Sequence, residues 1–217
     1  MGAIPIDLIL FGMIAAFLVL RLKGILGRRA GFERPAAQAV PPREVQAAPM
    51  QPAGRDAAIA TRTIPEPASA TGQTLMRMKA LDSAFEPGSF LDGAEKAFQM
   101  IVRAFAAGER AALRPLLSDD TYHAFEAAIA TREKAGHAQI TDIRAIHAMT
   151  IERADIRGTT GAITVRFVSD QVNLTQDQAG HPVTGTDAVT EINDLWTFER
   201  DLNQTDPAWH LVAARSA

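Results

Sequence analysis

The 217-residue chain is 47% hydrophobic and 22% charged, which is enough apolar material for a folded core and too much for a chain disordered throughout. It has no cysteine, and this rules out disulfides, thiolate metal sites and a cysteine nucleophile. The net charge of −3 is unevenly spread: Lys23 to Glu66 holds seven basic and four acidic side chains, and Pro67 onward holds 14 basic and 20 acidic, so a basic neck precedes an acidic domain, the reverse of a nucleic-acid binder.

Leu8 to Leu20 (LILFGMIAAFLVL) is an almost unbroken apolar run, followed by Arg21, Lys23, Arg28 and Arg29. Extended to Gly2 and Leu22 it has about 20 residues, which at ~1.5 Å each matches the ~30 Å hydrocarbon core of a bilayer. Three readings compete. A cleaved secretory signal needs a positive start and a small-x-small site, but the only charge before the run is Asp7 and LRLKGILGRR follows it. A buried core helix suits the short pure core but not the basic flank. A single uncleaved anchor over residues 1–22 is favoured by the charge asymmetry, because positive residues beside a span stay on the cytoplasmic side. The N-terminus then faces out, and everything after Arg21 lies at the cytoplasmic face of the membrane.

Residues 23–73 (ERPAAQAVPPREVQAAPMQPAG in part) are rich in Ala, Pro, Gln and Arg, without helical or strand period, and read as a disordered linker. It serves either as a spacer or as the carrier of a hidden partner-binding motif. About fifty flexible residues have a root-mean-square reach of roughly 40 Å.

A folded domain is predicted over residues 74–217. Leu75 to Phe85 reads as a short amphipathic helix with Leu75, Met78, Leu81 and Phe85 on one stripe and Arg77 and Lys79 on the surface, a face for a membrane or a partner. Ser89 with Asp92 resembles a capping box opening a core helix through Phe90, Ala94, Phe98, Ile101, Val102 and Phe105, and Gly108 stops it. Ser118 caps a further helix to about Lys134, with Tyr122, Phe125 and Ile129 on its buried face. The period then changes to strands: Ile140 to Ile156, a GTTG turn at 158–161, and the alternating Ile163, Val165 and Phe167. Gln176 to Asp187 reads as a loop, Ile192 to Arg200 as a strand with Trp196 and Phe198 on one face, and Trp209 to Ala213 as the last strand. Helices followed by a meander of strands predict an α+β fold with helices on one face of a curved antiparallel sheet.

FLDGAEKAFQMIVRAFAAGERAALRPLLSDDTYHAFEAAI (90–129), ITVRFVSD (163–170), DLWTFERD (194–201) and DPAWHLVA (206–213) together resemble the bacterial, TimA-type branch of the Tim forty-four-like family, as does the anchor followed by LGRRAGFERP (26–35). The resemblance implies an NTF2-like, cystatin-like domain and an adaptor at the bacterial cytoplasmic membrane rather than an enzyme. Family members recruit a chaperone motor to a translocation channel, and a relative tethers the mitochondrial ribosome. Amphipathic helices at the front of such domains bind anionic lipid, and Leu75 to Phe85 holds that place here. The long charged region through which the mitochondrial scaffold engages its chaperone is missing, so the resemblance names no protein partner.

An NTF2-like cone can also hold a ligand or an active site. An isomerase-like site needs an acid or base and a tyrosine donor converging in an apolar pocket. Tyr122, the only tyrosine, is either packing or a pocket donor, and Asp119 and Asp120 suit the dipole of a helix start. Trp196, Phe198 and Trp209 are either core or the lining of a lipid or small-ligand pocket. The five histidines show no HExxH and no i, i+4 pair, and no phosphate-binding or nucleophile-elbow motif occurs, so no metal, cofactor or catalytic residue is assigned.

Overall fold

The computed structural model describes residues 60–217; the anchor over 1–22 and the linker up to residue 59 lie outside the described residues. The elements are β1 (Thr61–Thr63), α1 (Ala70–Leu81), α2 (Pro87–Ala107), α3 (Arg110–Leu113) with a 3₁₀ turn (Arg114–Leu116), α4 (Asp119–Lys134), β2 (Ala138–Arg157), β3 (Thr160–Gln176), β4 (Pro182–Asp201) and β5 (His210–Ser216). The sheet has the order β1-β2-β3-β4-β5. β2 to β5 form the antiparallel meander, and β1 adds a parallel edge strand, pairing Thr61 to Thr63 with Ala148 to Thr150. The fold is therefore α+β with helices packed on a mixed sheet.

Three expectations need correction. The linker is expected to reach residue 73, but regular structure is already present before that point, because β1 pairs with a strand some 85 residues away and Ser69 caps α1 by accepting from the Gly72 amide at 3.0 Å. Pairing partners that remote leave no local period to read. Ser89 does not open α2: the helix starts at Pro87, whose missing N–H suits the first turn, and Glu86 precedes it without a side-chain cap bond. Most of 176–187 is strand rather than loop. The turn is confined to Asp177–His181, where Asp177 Oδ1 accepts from the amides of Ala179 and His181, and β4 already runs from Pro182.

β2 bends at three register shifts, 143/145, 146/148 and 151/153. One face of the sheet is covered by α1, α2 and α4, and the core lies between. Met78, Leu91, Phe98, Ile101, Leu113, Ile129, Met149, Ile163, Val165, Phe167 and Leu211 are all fully buried there. Gly161 leaves the room that Leu202 and Met78 fill, since a Cβ there would lie 3.2 to 3.3 Å from both side chains.

Candidate functional site

The concave face of the sheet is where a cone-shaped domain would hold a ligand. Strand parity decides what faces it: Ile163, Val165 and Phe167 of β3 stand opposite Phe198, Trp196 and Asp194 of β4. Phe98 of α2 stacks on Phe167 with ring centres 4.4 Å apart and tilts against Trp196 at 4.7 Å. Phe90 meets Phe198 edge-on at 6.0 Å and Trp209 at 4.9 Å, and Phe85 closes on Trp209 at 5.8 Å. These rings fill the floor of the concavity with one another. Trp196, Phe198 and Trp209 are thus brought together as packing. Tyr122 stands apart on α4, half-buried, with the Arg114 guanidinium 5.1 Å from its ring centre.

Towards the far end of the sheet the same face turns polar. Arg132 of α4 donates to the Phe105 and Ala106 carbonyls at 2.8 and 3.0 Å, tying down the end of α2, and to Gln139 Oε1 at 2.5 Å. Gln139 donates to Thr141 Oγ1 at 3.2 Å, Thr141 to Asn173 Oδ1 at 2.7 Å, Asn173 to Gln171 Oε1 at 3.1 Å, and Gln171 to the buried Ser169 Oγ at 2.9 Å. Six side chains from three elements therefore satisfy one another in a row. Asp194, half-buried on the same face, is pushed up to about 6 by desolvation. None of these polar residues was singled out from the sequence. For Asp194 the signal existed, since it shares the parity of Trp196 and Phe198.

Two shallow depressions lie elsewhere, on and beside α1. One, of about 550 Å³, is lined by Ala70, Gln73, Thr74, Met76, Arg77 and Ala80; the other, of about 410 Å³, by Arg77, Ala80, Leu81, Ile156 and Gly158. Both are wide open. The membrane or partner face expected on this helix is redistributed: Leu75, Met78 and Phe85 are buried in the domain core, and Phe85 lies beyond the helix end. Leu81 is 46% exposed and Met76 60%. Arg77 donates to Thr74 Oγ1 at 2.9 Å, and Lys79 pairs with Glu86. Helical spacing gives the faces of α1 without saying which one the sheet takes. Asp82, just past α1, forms an ion pair with Arg200 of β4, and both side chains are nearly buried.

Among the described residues no helix is long and apolar enough to cross a membrane, and no group of three His, Asp or Glu could hold a metal ion. The described residues thus form a helix-on-sheet α+β domain whose concave face is lined by packed side chains of its own. Residues 71–216 match the family described as Tim44-like domain, and the chain belongs to that family. Similar solved structures include the intermembrane space region of the chloroplast protein ARC6 (10% identity, covering 58% of this chain and 96% of that one, TM-score 0.43) and a conserved protein from Planctomyces limnophilus (14%, 58% and 94%, 0.36). A third is a putative dehydratase of the NTF2-like family from Streptomyces avermitilis (11%, 60% and 99%, 0.35). No curated protein matches the chain.

Proposed function

We propose that the protein is a membrane-anchored adaptor of the bacterial TimA type. On this reading residues 1–22 cross the cytoplasmic membrane once, with the N-terminus outside, and the NTF2-like domain holds a protein partner of the translocation, chaperone or quality-control machinery at the cytoplasmic face. The observation that carries the reading is the family match over residues 71–216. The filled concave face supports a role in contact rather than catalysis: Phe98, Phe167 and Trp196 occupy the space in which a substrate would sit. Tethering supplies the mechanism, because linking two modest contacts raises the effective concentration of the second to the millimolar range for short flexible linkers.

An anionic-lipid surface is the weaker reading. With Leu75, Met78 and Phe85 in the core, α1 offers lipid Met76, Leu81, Arg77 and a Lys79 already paired with Glu86, while the domain itself is acidic. The deciding experiment is affinity purification of the full chain from detergent-solubilised native membranes at native expression. A stoichiometric protein partner is the expected result, and recovery of the bait alone would sink the proposal.

A further inference from the structure

We propose that β1 is a releasable clip that sets where the preceding chain leaves the domain. Three observations separate it from the rest of the sheet. It is three residues long, all three exposed, in parallel pairing with a stretch of β2 that lies between the register shifts at 146/148 and 151/153. A straight strand finds little more than Ala148 to Thr150 to pair with there, because the shifts of β2 against β3 on either side bend β2 away from it. Among the described residues its side-chain ion pairs come from Arg62, which bonds Asp92 and, at 2.8 Å, Glu95 Oε2 of α2, all three side chains being partly exposed at the surface. Such surface pairs contribute little and weaken with salt.

The chain becomes firmly held only at Glu66. Its carbonyl accepts from the Ser69 amide at 2.9 Å and the Ser69 hydroxyl at 2.7 Å. It also sits so close to Gly72 that a Cβ there would lie 2.0 Å from it. Peeling therefore has to undo the packing of one small side chain, Ala60, and the Arg62 pairs, and it stops at Glu66. It frees six residues, roughly 20 Å of extended chain, and moves the exit point from the edge of β2 to the start of α1. It also bares the Ala148 to Thr150 edge, whose backbone groups can then accept another extended strand. The gain in reach rests on the tethered-adaptor reading; the clip itself does not.

The test uses the full chain in detergent, with Asp92→Asn and Glu95→Gln combined, and follows trypsin cleavage after Arg62 by mass as the appearance of a fragment beginning at Thr63. The expected result is cleavage about tenfold faster than in the unmodified chain, with cleavage after Arg132 and Arg166 unchanged. An unchanged rate after Arg62, or an equal acceleration at all three sites, overturns the proposal. Hydrogen exchange of the unmodified chain gives an independent reading. Amides of Thr61 to Thr63 should exchange at least about 100-fold faster than those of Ile163 to Phe167, yet slower than in a free peptide, and faster still in 1 M salt. Protection equal to that of β3, or none, overturns it. Neither outcome depends on whether the chain is found in membranes, which fractionation decides separately.

Discussion

Asp194 is a carboxyl held on the core face of β4, and its consequence is a pH dependence of a sign opposite to that of most acids. Desolvation raises it from 3.8 to about 6 in the folded state. The folded state therefore holds the proton more tightly than the unfolded one, and stability is lost as pH rises from about 4 through about 6, up to roughly 2–3 kcal/mol. Asp194→Asn should be more stable than the unmodified chain above pH 7 and equal to it below pH 4, as read by urea denaturation across pH; a variant less stable at pH 8 would refute the burial argument. Arg132 is the complementary case, a cation made structural by the carbonyls it closes. Replacing it with methionine leaves the Phe105 and Ala106 carbonyls and Gln139 short of a donor and should cost about 2–3 kcal/mol in denaturant unfolding. Both residues show where sequence reading reached its limit. The alternation that put Trp196 and Phe198 inward also put Asp194 inward, so that residue was legible. The row from Gln139 to Ser169 was not, since Thr141 meets Asn173 only through the β2–β3 register.

At the scale of elements, α1 is the part whose attachment is most concentrated. It buries Leu75 and Met78 against the sheet and is pinned at its end by Asp82 to Arg200. Asp82→Ala would strand a nearly buried guanidinium and should cost about 3–5 kcal/mol, with the amides of α1 exchanging faster before those of α2. The double change Asp82→Leu with Arg200→Met should recover most of the loss, because no unpaired charge remains. Helices α2 and α4 were legible as elements because their apolar positions recur over four or more turns and Gly108 and Gly136 end them with positive φ. The start of β4 was not: Pro182 and Gly185 read as loop residues, yet Gly185 is there because the Asn173 carbonyl of β3 passes where its Cβ would be, 2.1 Å away. A glycine required by a neighbouring strand looks, in sequence, like a glycine required by a turn.

For the whole molecule, the acidic domain and the basic neck ahead of it make separable predictions. A chain lacking residues 1–22 should appear in the soluble fraction after cell lysis, still folded by circular dichroism; a chain that stays in the membrane pellet would show that the apolar run is not what holds it there. The same chain lacking residues 1–59 should float no better with anionic than with neutral vesicles, since its Asp and Glu outnumber its Lys and Arg. Preference for anionic vesicles would restore the lipid reading of α1.

The last strand places a constraint on how the molecule is made. Leu211 of β5 bridges Leu117, its carbonyl accepts from the Ser118 amide at 3.0 Å, and the Val212 carbonyl accepts from the Thr121 hydroxyl at 3.0 Å. The start of α4, synthesised some ninety residues earlier, thus waits for β5 before its partners exist, and Trp196 and Phe198 wait with it for Ala214 and Leu211 to close the edge beside them. A chain interrupted before His210 would leave two aromatic residues without the strand that seals them, a form that proteolysis can tell from the finished one; on the anchored-adaptor reading proposed above, attachment would come first and folding second.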